Sequence, residues 1–408
     1  MDFDDSPAER DVRERARVWL DEHAERTDHD ALDAMRSHRA HSEEDDLALL
    51  EEGRRWQRTK AEAGWAAPSW PVEHGGMGLS PSLAGVFASE EQHYDVLANM
   101  FSVGVGMAGP TIIEWGTQQQ RALHLPATLR ADHIWCQLFS EPGAGSDLAS
   151  LSTRAELDGD EWVVTGQKVW TSAAHYANWG ILLARTDPDV PKHRGITCLI
   201  LAMDSSGVEV RPLRQIDGAI HFNEVFLDEV RVPKENTLGP VGAGWSVALT
   251  MLAHERSSIG GGGMYQFGQV AALARAHSDA SAPVVRQRLA DLYIRFELLR
   301  YLGYRVRTAA ARGEVPGPES SVMKLVVSAL YETGGDLIVE LQGPGGMLTH
   351  DDAPYGGRFQ DLFMSQWAPR IGGGTDQVQR NIIGERVLGL PGEARDDKRV
   401  PFRELRHS

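Results

Sequence analysis

Two cysteines, no long hydrophobic run and a deficit of basic residues bound what this chain of 408 residues can be. Cys136 and Cys198 have neither metal-ligand nor CxxC spacing and sit in apolar surroundings, so they read as reduced packing residues, with no disulfide required. No apolar stretch reaches the ~18 residues of a membrane span. The opening "MDFDDSPAER" is acidic where a secretory signal would be basic and then apolar, which sets the expectation of a cytoplasmic protein away from membranes. With 41 Lys+Arg against 58 Asp+Glu, the formal charge of -17 repels nucleic acid and anionic lipid, while leaving room for a local basic pocket for an anionic ligand. Walker A, H-E-x-x-H and G-x-S-x-G motifs are all missing, which lowers the odds of a nucleotide hydrolase, a zinc protease or a serine hydrolase.

What remains is ample for folding: 42% apolar residues and eleven Trp can build substantial cores. Ser6, Pro7 and Glu9 suit a helix start, and Val12, Ala16, Trp19, Leu20 and His23 continue it at helical spacing. His29, His38, His41 and "EEDD" at 43–46 crowd the next stretch without ligand spacing, so a solvated face or loop is favoured over a metal site. "GVGMAG" at 104–109 has the form of a dinucleotide fingerprint. The stretch before it reads as helix rather than strand, however, and favours close helix packing through Gly104 and Gly106.

Character changes near residue 134. "STRAELDGDEWVVTG" at 152–166 holds a turn signal between two extended stretches, and alternating β-branched segments follow until about 238. Helical periodicity then returns, broken at 314–320 and 341–357. The expectation is an α+β multidomain chain: a helical domain at 1–133, a β-barrel-like or sandwich domain at 134–238 and a helical bundle at 239–408, with ligands at the junctions.

Three stretches carry candidate chemistry. In "LFSEPGAGSDL" (138–148) an apolar strand runs into a loop that offers backbone N–H groups and Ser146 to a polar ligand, although a tight turn would account for it as well. "GQKVWTSAAHYANW" (166–179) presents the indole of Trp170 beside Thr171 and Ser172, which suits a flat heteroaromatic ring, and equally a core tryptophan. "HERSSIGGGG" (254–263) sets Glu255 beside Arg256. On a helical wheel counted from Trp245, the apolar residues Ala248, Leu249, Leu252 and Ile259 span about 300° through 0° to 40°, with Glu255 near 280°, Arg256 near 20° and His254 facing out near 180°. Inward charges are costly unless paired or functional, so Glu255 and Arg256 form either a buried salt network or a reactive pair.

Together with "RIGGGTDQVQRNIIGERVLGLP" (370–391), these motifs resemble the acyl-CoA dehydrogenase family over nearly the whole chain, most strongly from residue 134 onward. The resemblance implies a helical domain, a β domain and a C-terminal four-helix bundle, assembled as a homotetramer or homodimer with one FAD per subunit. It implies that Ser140 meets the flavin ring edge, that Trp170 covers the ring and that Ser172 donates near N5, with Leu138, Ser146 and Thr171 also among the cofactor contacts. Ser146 would contact coenzyme A, with Arg256 also on the substrate side. "LQGPGG" resembles the family's Gln-x-x-Gly-Gly turn, so Gln342, Gly345 and Gly346 would meet the flavin of a neighbouring subunit, completed by Thr375 and Gln377 at a helix N-terminus.

Many members carry their catalytic carboxylate in the "IGGGT" segment, where this chain has Gly373. A minority place a Glu immediately before a conserved Arg on the helix that opens the C-terminal domain, and "LAHER" matches them. Glu255 would then remove the α proton of an acyl thioester, a step that needs a carboxylate made basic by a dry pocket. The Gly373 N–H would polarise the thioester carbonyl. Glycines 260–263 leave room for a bulky acyl group or for a neighbouring helix. Two family features are missing: no Arg-x-x-Phe-Gly follows this helix, leaving Arg275, Arg286 or Arg288 as substitutes, and Ala253 stands where some relatives have Asp. The implied reaction is oxidation of an acyl-CoA, or of a carrier-protein thioester, to the 2-enoyl form, with an electron-transfer flavoprotein as acceptor. The rival is a non-catalytic subunit that completes a partner's flavin site.

Overall fold

The computed structural model describes residues 5–27, 32, 42–258, 265–277, 282–311, 319–349, 352–393, 397 and 399–405. Its helices are α1 (Pro7–His23), α2 (Glu43–Glu62), α3 (Pro81–Glu91), α4 (Gly109–Trp115) and α5 (Gln118–Leu129), followed after the strands by α6 (Gly244–Ser258), α7 (Phe267–His277), α8 (Pro283–Ala311), α9 (Glu319–Leu341), α10 (Arg358–Met364), α11 (Ala368–Ile371) and α12 (Asp376–Ile382). Between them lie β1 (Trp135–Leu138), β2 (Arg154–Asp158), β3 (Glu161–Ser172), β4 (Trp179–Arg185), β5 (Ile196–Ala202), β6 (Val208–Leu213), β7 (Phe222–Pro233) and β8 (Thr237–Leu238). Among the described residues no helix is long and apolar enough to cross a membrane.

The chain divides into two compact units: Met1–Arg39, Leu79–Ala98 and Arg256–Gly392 form one, and Ala40–Gly78, Asn99–Glu255 and Glu393–Ser408 the other. In the first, α1 starts as its sequence requires, with a reciprocal cap between Ser6 and Glu9 and proline in the first turn. Val12, Ala16 and Leu20 are buried, and Glu90 of α3 receives Arg13 and Arg17. Around α9 a second core gathers Leu330, Leu337, Ile338 and Leu341 with Leu273 and Phe359.

The second unit holds one sheet in the order β6-β7-β3-β2-β4-β5-β8, with β1 added parallel to β4. The β2–β3 hairpin turns at Gly159, whose φ of 63° is the left-handed value that glycine adopts without strain. β4 and β5 are buried along almost their whole length and lie at the centre of two apolar clusters. Both cysteines are free and buried there, and burial pushes the Cys136 thiol up to about 12.

Several expectations need correction. The stretch before Val103 is not one helix, since α3 ends at Glu91 and turns follow. A π-helical turn then covers Val103–Ala108. Gly104 and Gly109 make the close contacts, against Trp135 and Trp70, whereas a side chain at Gly106 would meet open space. "EEDD" forms the first turn of α2 under a Ser42 cap, while His29, His38 and His41 lie outside the described residues.

Candidate functional site

Leu138 ends β1, and its side chain is wholly enclosed in the core of the β domain, so only its backbone remains to face a ligand. The loop that follows is anchored by Glu141. Its Oε2 accepts from the N–H and hydroxyl of Ser152 at 2.6 and 2.9 Å, and its Oε1 from the Thr153 N–H at 2.9 Å and Lys168 Nζ at 2.8 Å. Lys168 also donates to the Phe139 carbonyl at 3.1 Å. Burial pushes the Glu141 carboxyl up, but the adjacent Lys168 charge and these donors outweigh it and hold the group at about 2. Burial lowers the Lys168 ammonium, with Glu141 opposing. Beyond this anchor, Ser146 is exposed, and side chains built at Gly143 or Gly145 would meet nothing. The anchor was missed in the sequence, although the period-two alternation Trp162, Val164, Lys168 would have pointed this lysine inward.

β3 carries Trp170 at a bulge, where its pairing with β7 shifts between Lys168 and Thr171. Trp170 is not a core residue. Its side chain is 62% exposed, touches Phe222 edge-on at 6.0 Å, and its φ is 61°. A bulky residue in that backbone region is strained by about 1–3 kcal/mol, and such strain clusters at ligand sites. Next to it, Thr171 is buried, and its hydroxyl has no hydrogen-bond partner among the described residues. Ser172 is half-buried. Behind the strand, Asn223 donates to the Thr171 carbonyl at 3.0 Å and to His175 Nδ1 at 3.1 Å, while His175 Nε2 meets Asp46 at 2.7 Å. A chain of polar groups, buried at Asn223 and half-buried at His175 and Asp46, therefore fixes the backbone on which Trp170 and Ser172 stand.

Glu255 lies near the end of α6, half-buried, one turn beyond Met251. The buried face of α6 consists of Gly244, Val247, Ala248 and Met251, with Leu252 packed beside them. This corrects the wheel: Leu249 is 46% exposed rather than part of the stripe, and His254 is half-buried rather than outward, its imidazole lowered by burial with Glu114 opposing. Glu255 keeps its place on the buried flank. Ile259, the Arg256 side chain and glycines 260–263 lie outside the described residues.

The remaining candidates belong to the other unit. Gln342 is buried, donates to the Ile338 carbonyl at 3.1 Å and accepts from Gln360 at 3.3 Å. Gly345 presses on Pro354, and a Cβ on Gly346 would stand 2.4 Å from the Val339 carbonyl oxygen, so glycine is required there by the chain itself. Gly373 and Gly374 are consecutive left-handed residues, with φ of 62° and 84°. Thr375 caps α12 by accepting from the Val378 N–H at 3.2 Å, and Gln377 is exposed on its first turn. Asp376 beside them is buried and takes Lys324 Nζ and the Ser328 hydroxyl, both at 2.9 Å. Of the three arginines, Arg275 and Arg286 are exposed, whereas Arg288 is paired with Glu340.

Three family models cover the chain: the acyl-CoA dehydrogenase N-terminal domain at residues 6–132, the middle domain at 136–230 and the C-terminal domain at 242–388. "Acyl-CoA dehydrogenase IpdE1" of Mycobacterium tuberculosis is 40% identical over 351 residues, which are 85% of this chain and 90% of that protein. The solved structure described as "Tcur3481-Tcur3483 steroid ACAD" superposes with a TM-score of 0.81 at 28% identity, over 96% of this chain and 100% of that one. The ChsE4-ChsE5 complex from Mycobacterium tuberculosis gives 0.77 at 28% identity, again over 96% and 100%. With its helical, β and helical domains in that order, the chain belongs to the acyl-CoA dehydrogenase family and is an oxidoreductase of that kind.

Proposed function

We propose that this protein oxidises a CoA thioester to its trans-2-enoyl form with bound FAD, using Glu255 as the base. The observation that carries the reading is Trp170, an exposed indole held at strained φ beside a buried hydroxyl that has no partner among the described residues. A chain maintains such an arrangement when something outside its own fold occupies the space. The groups present fit a flavin: a flat aromatic face, a donor at Ser172 and the half-buried Ser140 hydroxyl beside it in the preceding loop. Ser140, Trp170, Thr171 and Ser172 would hold it, with Gln342, Gly345, Gly346, Thr375 and Gln377 supplied by a neighbouring subunit. When bound, the flavin supplies the acceptor for the β hydrogen and its electron pair.

The chain's own residues account for the rest. The Glu255 carboxylate takes the α proton from its half-buried seat on α6, and a bound thioester would cover it against bulk water. The Gly373 N–H polarises the thioester carbonyl, and the left-handed backbone there tolerates no side chain without strain. Ser146, on an exposed loop clear of neighbouring side chains, contacts coenzyme A, and Arg256 assists on the substrate side. The name "steroid ACAD" borne by a structural relative supports a bulky, ring-bearing acyl group. We further place the protein in the cytoplasm as a homotetramer or homodimer, passing electrons to an electron-transfer flavoprotein. Glu255→Gln should retain the visible flavin band but lose roughly 10³-fold in turnover, because an amide cannot accept the proton. Turnover within a few-fold of the parent would remove Glu255 as base.

A second reading has its own support. One relative is a ChsE4-ChsE5 complex, another bears a paired name, and this chain has no Arg-x-x-Phe-Gly. In that reading it completes a flavin site with a different subunit. Flavin counted per chain separates the two: full loading of the protein alone supports the first, and loading only with a partner the second.

A further inference from the structure

The loop bearing Ser146 is held from below by two buried cations. Arg185, at the end of β4, donates from Nη2 to the carbonyls of Ala149 at 2.7 Å and Leu151 at 3.1 Å, and from Nη1 to the Lys192 carbonyl at 2.5 Å. Lys192, almost fully buried, donates to both carboxylate oxygens of Asp147 at 2.9 and 2.7 Å and to the Ser150 hydroxyl at 3.4 Å. Both cations are in turn held by the C-terminal segment. Asp397 meets Lys192 Nζ at 2.6 Å, and the Phe402 ring lies 3.7 Å from the Arg185 guanidinium carbon. The segment is stitched to the β4–β5 loop by a bridge between Pro191 and Pro401. The Phe402 N–H donates to the Val190 carbonyl at 2.9 Å, that of Arg403 to the Pro188 carbonyl at 3.0 Å, and Arg403 pairs with Asp189.

Residues around 400 thus reach back to grip residues 147–151. Ser146 lies between two fixed points, the bridge of buried Ala144 to Glu141 on one side and the gripped Asp147 on the other. Side chains built at Gly143 and Gly145 would touch nothing, so its position depends in part on the gripped half of the loop. A lysine shared between Asp147 and Asp397 ties the two segments directly, since neither carboxylate is well placed beside the other without it.

We propose that the C-terminal segment Asp397–Leu405, acting through Lys192 and Arg185, sets the position of the Ser146 loop and so determines affinity for the coenzyme A part of the substrate. Lys192, Arg185, Asp397 and Phe402 are positioning residues. The proposal rests on the reading of Ser146 as a coenzyme A contact, and two readouts on the FAD-loaded protein keep the two claims apart. Amide exchange across residues 142–150 should quicken at least severalfold in Phe402→Ala and Asp397→Asn, and return to the parent rate in Phe402→Tyr. Affinity for free coenzyme A, by calorimetry, should weaken roughly tenfold in the first two and recover in the third. Unchanged exchange in both variants overturns the proposal. Quickened exchange with unchanged coenzyme A affinity leaves a purely structural tail and also overturns it. If the parent and Ser146→Ala bind coenzyme A equally, the reading of Ser146 itself fails, whatever the tail does. Asp397→Asn keeps Lys192 paired with Asp147, so it serves where Phe402→Ala does not fold.

Discussion

Two stretches assigned to the flavin by family resemblance differ in how much of their form the chain explains by itself. At Gln342–Gly346 the two most constrained positions have an internal cause: the Gln342 amide is engaged at both ends, and the missing Cβ of Gly346 is demanded by the Val339 carbonyl. At Trp170–Ser172 the β3 bulge accounts for the irregular backbone, but the indole is exposed on it and the Thr171 hydroxyl has no partner among the described residues, and nothing in the described chain uses either. A broken local rule with nothing in the chain to justify it marks a place shaped for something else, and a satisfied one does not. The β3 stretch therefore carries the functional claim, and the Gly-Gly turn only accompanies it.

Four substitutions sharpen the contrast. The largest effect is expected behind Trp170 rather than at it: Glu141→Gln strands the buried Lys168 charge and should cost about 3–5 kcal/mol in a denaturant titration. The same group gives a pH signature. Its folded value of about 2 lies below the ordinary 4.5, so its contribution is complete above pH 4.5 and is lost as pH falls towards 2, a limb that Glu141→Gln should flatten. Gly346→Ala comes next, at about 1–3 kcal/mol, because the added methyl meets backbone; an unchanged melting temperature would show that the turn has slack and is not internally determined. Thr171→Val should stabilise the flavin-free protein by about 1 kcal/mol by removing an unsatisfied buried hydroxyl, and should weaken flavin retention. Destabilisation of the flavin-free form would mean that the hydroxyl has a partner within the fold. Smallest in stability is Trp170→Ala, within about 0.5 kcal/mol, with a displaced flavin absorption band as its readout. A large loss of stability without spectral change would make Trp170 structural after all.

Much of this was legible in the sequence where the determinants are local. The Ser6–Glu9 cap, the hairpin at Gly159 and the span of strands from Trp135 to Leu238 follow from neighbours within a few residues. The phase of α6 was misjudged because Leu249 and Leu252 outweighed Val247 and Met251, although an apolar side chain on one chain's surface satisfies the same pattern as one in its core. Long-range polar pairs were not legible. Lys168 to Glu141, Asp46 to His175 and Lys192 to Asp397 join residues far apart in the chain, and each looks alone like an ordinary surface charge. Position in the sheet alternation was the only local sign, and only for Lys168.

The central claim is that the strained, exposed Trp170 surface serves a flavin that accepts electrons from a CoA thioester. The most direct test is an anaerobic titration of the FAD-loaded protein with straight, branched and ring-bearing acyl-CoAs, following the visible flavin band. Bleaching, strongest with a ring-bearing member, is the predicted result. A protein that binds FAD stoichiometrically yet is reduced by no CoA thioester, or one that binds no FAD, would contradict it.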